Sequence, residues 1–289
     1  MKSAVNPPMN PPMNDARSST ALIDGSRAPA LLEPLTKLVI QAGNAILAIN
    51  RAAMKIEGKL DGSPVTEADL AADRILAEGL ARLVPEIPAL SEERCQSAEP
   101  RGIESFFLID PLDGTKEFVA GRDEFTVNLA LVSNGEPLMG IIGAPALGIV
   151  WRGVVGRGAE RLSTSEPSKS QPIRTRRMPR SGEPWVAAIS RSHGDSRTEA
   201  FIAARPGAIR TTLGSALKFA RVAEGQADIY PRLAPTSEWD VAAGHALVIA
   251  AGGRITDTHG APVRFGHARP SFIVPEFIAW GDPSAAGAQ

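Results

Sequence analysis

An α+β chain folded as two packed halves is the architecture this sequence predicts, and three observations carry it. Two helical stripes of apolar residues open the ordered part of the chain. A short apolar run, Phe106-Phe107-Leu108-Ile109, then leads into an antiparallel meander turned at Asn134-Gly135. Beyond about residue 155, strand and helix segments alternate again. The 289 residues suffice for one large domain or two small ones packed together, and such elements bury their apolar faces in layers.

Taken in order, residues 1 to about 28 read as a disordered tail. The tandem Asn6-Pro7-Pro8-Met9-Asn10-Pro11-Pro12-Met13-Asn14 has too few apolar groups to offset the entropy of ordering. Leu35, Val39, Ala42, Ile46 and Ile49 follow at spacings of 4, 3, 4 and 3, one face of a helix. Ser63-Pro64-Val65 is a short extended link. A second helix runs from about Glu67 to Leu83, with Ala72, Leu76, Leu80 and Leu83 on one face and Pro85 beyond its end. Phe106–Ile109 is a buried strand ending at Asp110. Strands at Phe125–Val132, Leu138–Ile142 and Ile149–Val155 complete the meander. Residues 156–183, rich in Ser, Pro, Gly and Arg, read as loop or edge structure. The second half follows as strand Trp185–Ile189, helix Thr198–Ala204, helix Ser215–Glu224, strand Asp228–Tyr230 and helix Val241–Ala251. The division is a tail (1–28), a first half (29–155) and a second half (156–289).

Bulk properties exclude several classes. Apolar residues make up 43%, a normal supply for a core, and the formal charge is −1. No global field pulls such a chain onto nucleic acid or an anionic membrane, and no basic, aromatic-interleaved stripe is present. Cys95 is the only cysteine, so no internal disulfide can form and a reducing compartment fits. The first 30 residues lack the basic start and apolar run of a secretory signal. The charge-free apolar stretch Val241–Gly253 is 13 residues and too short to span a bilayer. The expected location is cytoplasmic, with peripheral association with the inner membrane left open.

The chemistry concentrates in Leu108-Ile109-Asp110-Pro111-Leu112-Asp113-Gly114-Thr115. Pro111 stiffens a turn and Gly114 permits a tight one. Two carboxylates and the Leu112 carbonyl could then face one point, a set of hard oxygens suited to Mg²⁺. The N–H groups of Gly114 and Thr115 would open a helix over Lys116–Ala120, where phosphate is favoured. The alternative is an Asp-rich turn with Asp113 as an N-cap. Three more segments are ambiguous alone. Ser91-Glu92-Glu93 is either a ligand source or a solvated surface. Asp240 precedes a small-residue helix, as a ligand or as its cap. Thr66-Glu67-Ala68-Asp69 fits a capping box, so Asp69 could simply close a helix end.

Together these segments decide the matter. The chain from about 35 to 275 resembles the inositol monophosphatase superfamily, and within it the 3′(2′),5′-bisphosphate nucleotidase branch, the CysQ family. The match lies in Asp61 to Asp69, in Leu90-Ser91-Glu92-Glu93, in Asp110 to Thr115 running on through Lys116-Glu117-Phe118 to Glu124-Phe125-Thr126-Val127-Asn128, and in Trp239-Asp240 to Gly244. All four occur in the family's order. The resemblance implies a layered αβαβα sandwich with the metal site between its halves. It implies that Glu92, Asp110, the Leu112 carbonyl, Asp113 and Asp240 bind two or three Mg²⁺, with inhibition by Li⁺. It further implies that Asp69 and Thr115, with Glu92, position or deprotonate the attacking water. Phosphoryl transfer needs positioning and charge neutralisation more than covalent help, which agrees.

The branch rests on the second half. Ser190-Arg191-Ser192-His193, Gly214-Ser215-Ala216-Leu217-Lys218-Phe219 and Ala223 to Arg232 look like the nucleotidase pattern. There the matching His193, Ser215, Lys218 and Arg232 contact the second phosphate and nucleoside, beside Gly114, Thr115 and Asp240. Each has a plainer reading, as loop histidine, N-cap or surface charge. Ala216 stands where the family usually has Ser. The expected reaction is removal of the 3′-phosphate of adenosine 3′,5′-bisphosphate to give AMP, and also of its 3′-phosphosulfate analogue, in sulfate assimilation. The rivals are a sister phosphatase for inositol phosphate, histidinol phosphate or a sugar bisphosphate, and a non-catalytic regulatory protein on the same fold. The expected partner is a small nucleotide, with the chain a monomer or homodimer.

Overall fold

The structure, a computed structural model, describes residues 26–58, 64–94, 104–266 and 272–287. Most of the Pro-rich tail, Asp61 to Ser63 and Cys95 lie outside the described residues.

The first part of the chain runs α1 (Ala28–Ala48), β1 (Ile56–Gly58), β2 (Pro64–Thr66), α2 (Glu67–Leu83), β3 (Ala89–Ser91), β4 (Ser105–Asp113), α3 (Thr115–Val119), β5 (Thr126–Ser133), β6 (Glu136–Ala144), β7 (Ile149–Val154), β8 (Gly158–Ser163) and β9 (Glu166–Ile173). Helix α1 begins earlier than its apolar stripe suggests, with proline in its first turn, where a missing N–H costs nothing. Helix α2 has the expected bounds. Strands β3 to β9 form one sheet in chain order, antiparallel except for the β3–β4 pair. The Ser/Pro/Gly-rich stretch supplies its edge, where the prolines of β9 need no ladder partner on the outer side. The change to the second sheet therefore falls between Ile173 and Val186, beyond residue 155.

The second part runs β10 (Val186–Ser190), α4 (Ser196–Ala203), β11 (Ile209–Leu213), α5 (Leu217–Ala223), β12 (Ile229–Arg232), β13 (Thr236–Ser237), α6 (Glu238–Ala250), β14 (Arg254–Thr256), β15 (Ile273–Val274) and β16 (Phe277–Trp280). Its five-stranded sheet has the order β11-β10-β12-β16-β14. The sequence predicts none of β11, β13, β14, β15 and β16. The first is a largely exposed edge and the others are two to four residues long, too short for a periodic signal.

Alternation along β4 shows how the layers stack. Phe107 and Ile109 pack with α1 and α2, through Leu35, Val39, Ala72 and Leu76. Phe106 and Leu108 point the other way, into a core shared with α5, α6 and the inner face of the second sheet at Phe277 and Ala279. The far face of that sheet, at Ile229, Ile278 and Trp280, is covered by Ile202 of α4. The order is helix, sheet, helix, sheet, helix, as expected. Among the described residues no helix is long and apolar enough to cross a membrane.

Candidate active site

Strand β4 stays in register with β5 as far as Asp110, opposite Asn128, and then bulges before Asp113 meets Thr126. A bulge re-aims side chains. The two aspartates would otherwise point to opposite faces. Leu112 N–H donates to Asp110 Oδ1 at 3.1 Å, and Asn128 Nδ2 donates to Asp113 Oδ2 at 3.1 Å. The chain leaves through Gly114 at φ 92°, a conformation glycine adopts freely. Gly114, not Asp113, is the N-cap of α3. Thr115 then places its hydroxyl 3.0 Å from the Leu112 carbonyl and 3.1 Å from Asp69 Oδ1.

Asp69 is buried, and its two oxygens have different partners. Its Oδ2 accepts the Thr66 N–H at 2.8 Å and the Thr66 hydroxyl at 2.6 Å, closing a capping box, while Oδ1 faces Thr115. Glu92 follows β3, and its N–H donates to the carbonyl of Ile109 at 3.1 Å, beside Asp110. One turn beyond Asp69, buried Asp73 accepts Ser91 Oγ at 2.5 Å and Arg94 Nε at 2.8 Å, bracketing Glu92. Asp240 comes from the other half. It is the third residue of α6, whose cap is Ser237, and its Oδ2 accepts the Thr236 hydroxyl at 2.6 Å.

These acids act on one another. Burial raises the pKa of Asp110 well above the usual carboxylate range, and the charges of Glu92, Asp113, Asp240 and Asp69 raise it further. Burial and the Asp240 charge push Asp113 up to about 7, with Lys218 opposing. Burial likewise raises Asp69, against its hydrogen bonds from Thr66 and Thr115. Among the described residues no three acidic, His or Cys side chains converge as a finished metal cage. Several of their oxygens are turned to protein donors instead, as at Thr66, Thr236 and Asn128. The donor set nevertheless fits a hard divalent cation: all oxygen, like-charged, and drawn from both halves to one place.

Glu92, Asp110, Leu112, Asp113, Gly114, Thr115 and Asp240 line one side of a cavity of about 370 Å³ between the halves. His193, Ser215, Lys218 and Arg232 line the other. Only Asp69 stands back from it, behind Thr115. Neither Ser215 nor Lys218 takes its plainer reading. Helix α5 is capped by Ala216, so Ser215 is no N-cap; it sits at φ 44°, and its buried Oγ has no hydrogen-bond partner. Lys218 is buried, donates to the Ser215 carbonyl, and lies 5.4 Å from the Tyr230 ring centroid. Burial brings its pKa down to about 8, against the pull of Asp113. Burial and neighbouring Arg232 lower His193, whose carbonyl accepts Arg232 Nη1 at 3.0 Å. Tyr230 and Glu117 also line the cavity, and neither stands out in sequence.

The family model described as "Inositol monophosphatase family" matches residues 30–280. The 3′(2′),5′-bisphosphate nucleotidase CysQ of Salmonella typhimurium is 40% identical over 250 residues, which cover 86% of this chain and 98% of that protein. The enzyme of the same name from Escherichia coli K12 is 38% identical over the same shares. The crystal structure of CysQ from Bacteroides thetaiotaomicron superposes with a TM-score of 0.72 at 33% identity, covering 86% of this chain and 96% of that one.

Proposed function

The chain belongs to the inositol monophosphatase family, and on that premise we propose that it is a Mg²⁺-dependent 3′(2′),5′-bisphosphate nucleotidase that converts adenosine 3′,5′-bisphosphate to AMP and phosphate. One observation carries the reading: a single cavity has clustered carboxylates on one side and Lys218, Arg232, His193 and a partnerless Ser215 hydroxyl on the other. That polarity suits a molecule with two phosphates, one to be cleaved and one to be held.

Glu92, Asp110, Asp113, Asp240 and the Leu112 carbonyl would hold Mg²⁺, which when bound supplies neutralisation of the transferring phosphoryl group. Asp69 and Thr115 organise the proton. The Thr115 hydroxyl has one hydrogen, and Asp69 Oδ1 and the Leu112 carbonyl compete for it. With that hydrogen on Asp69, the hydroxyl lone pairs accept a hydrogen bond from the attacking water and aim its oxygen at phosphorus. As the water attacks, its proton passes to the Thr115 oxygen and the Thr115 hydrogen to Asp69 Oδ1; the P–O bond of the 3′ linkage breaks, the leaving ribose oxygen takes a proton from solvent, and Asp69 returns its own to solvent. Lys218 and Arg232 supply charge to the remaining phosphate; Ser215 and His193 supply hydrogen bonds.

Phosphate release across adenosine 3′,5′-bisphosphate, its 3′-phosphosulfate analogue, 3′-AMP, inositol 1-phosphate, histidinol phosphate and fructose 1,6-bisphosphate tests this. The bisphosphorylated nucleosides should give the highest kcat/KM. A preference for inositol 1-phosphate would overturn the assignment.

A further inference from the structure

The cavity is assembled from two halves, so its dimensions depend on what locks them together beside it. Two glutamates do this, Glu117 within α3 and Glu124 beyond its end. Glu124, in the first half, receives the Arg191 guanidinium in a two-pronged pair, Nε to Oε2 at 2.9 Å and Nη2 to Oε1 at 2.8 Å. The same Glu124 Oε2 accepts the Gly214 N–H at 2.8 Å. Arg191 also donates to the Thr212 carbonyl at 3.2 Å. Alongside, Glu117 accepts the hydroxyl of Ser192. Gly214 leaves no slack, since a Cβ there would stand 2.6 Å from the Glu124 carbonyl oxygen.

Every second-half partner in this set neighbours a residue on the phosphate-holding side. Arg191 and Ser192 precede His193, and Gly214 precedes Ser215. In the first half, Glu117 lies two residues beyond Thr115, and Glu124 sits on the link from α3 to β5, two residues before Thr126. We propose that Glu124 and Arg191 are positioning residues: their pairing fixes the distance between the carboxylate side and the phosphate-holding side of the cavity, and so sets affinity for the substrate. Neither residue lines the cavity, so this role is exerted through Gly214 and the backbone of 190–193. The inference rests on the nucleotidase reading for the identity of the substrate, and not for the mechanical role.

The test measures KM and kcat for Arg191→Met, Glu124→Ala, their double variant and Gly214→Ala, on whichever phosphomonoester the wild-type enzyme prefers. Misplacing binding groups by a fraction of an ångström should raise KM by about tenfold, with kcat within about twofold. Gly214→Ala should reproduce the rise by pushing the halves apart. The double variant should be no worse than the worse single one, because one pairing is being removed. Arg191→Lys, which keeps charge but not the fork, should fall between. Should Arg191→Met fold poorly, Arg191→Lys and Glu124→Gln read the same KM. Unchanged KM in the folded variants, or KM effects that add in full, would overturn the clamp. The substrate preference of the wild-type enzyme separately decides the nucleotidase reading, since the clamp is read on the preferred substrate whichever that is.

Discussion

Thr115 reaches Oδ1 of Asp69 at 3.1 Å, while both bonds from Thr66 end on Oδ2 of the same carboxylate. One side chain thus closes a helix with one oxygen and holds the cavity-lining Thr115 with the other. The cap therefore leaves one oxygen free for the proposed catalytic role. Asp69→Asn should lose about 0.5–2 kcal/mol of stability and, with it, about 10²–10⁴-fold in kcat. Thr115→Val, which leaves the capping box alone, should lower kcat with little change in Tm. Thermal melts and single-turnover rates on both variants check this; an active Asp69→Asn would leave only the cap.

How far the sequence led depends on how local the determinant was. Helix α2 ends as expected because the Thr66–Asp69 box and Pro85 bracket it within one segment. The four motifs could be assembled because their family order is a sequence property. Pairings across the halves were not legible. Glu124 and Arg191 are 67 positions apart, and an exposed pair at such range leaves no periodic trace. Asp73 reads in sequence as any polar residue on α2, because its partners Ser91 and Arg94 come from a different segment of the chain. Helix α6 begins at Glu238 rather than Val241 because Ser237, not Asp240, supplies its cap.

Asp110 carries the heaviest electrostatic load, buried among Glu92, Asp113, Asp240 and Asp69. Asp110→Asn removes one of these like charges while keeping the shape. The variant should melt about 2–4 °C higher than the wild type in chelator, yet gain less stability when Mg²⁺ is added. Its turnover should fall by orders of magnitude. Calorimetric scans with and without Mg²⁺ would show it; equal Mg²⁺ shifts in both proteins would count against Asp110 as a ligand.

Asp73 should matter through Glu92. Asp73→Asn keeps the size but weakens the bonds to Ser91 and Arg94 that bracket that acid. The expected result is a rise of about tenfold in the Mg²⁺ concentration for half-maximal activity, with kcat at saturating Mg²⁺ nearly kept. Titration calorimetry with Mg²⁺ provides the second readout. Unaltered Mg²⁺ affinity would make Asp73 a purely structural residue.

His245 lies on α6 with its ring 5.4 Å from that of Phe265 and its Nδ1 buried without a partner. Burial, aided by Arg264, pushes its pKa down to about 3. The unfolded chain takes up this proton near pH 6.5, the folded chain only near 3. Between those values the unfolded state binds more protons, so stability is full above 6.5 and is lost as pH falls. The slope is about 1.4 kcal/mol per pH unit at most, or about 2 kcal/mol by pH 5. His245→Met should melt at more nearly the same temperature at pH 7 and pH 5. Parallel losses in both proteins would place the acid sensitivity elsewhere.

On the proposed reading, Lys218 is the residue that separates a nucleotidase from its sister phosphatases. It is buried on the phosphate-holding side, with Asp113 pulling its charge toward the carboxylates and the Ser215 carbonyl fixing its ammonium group. A charged contact to a second phosphate contributes roughly 1.5–3 kcal/mol, or about tenfold to a hundredfold in kcat/KM. Lys218→Met should impair cleavage of adenosine 3′,5′-bisphosphate by that factor and that of inositol 1-phosphate far less, because the monophosphate has nothing for the ammonium to hold. Since Lys218 also anchors the Ser215 backbone, Ser215→Ala is the control. It removes the partnerless hydroxyl and keeps the anchor, so it should cost less than Lys218→Met on the bisphosphate. Equal losses on both substrates in Lys218→Met would assign the lysine to the carboxylate side or to the fold.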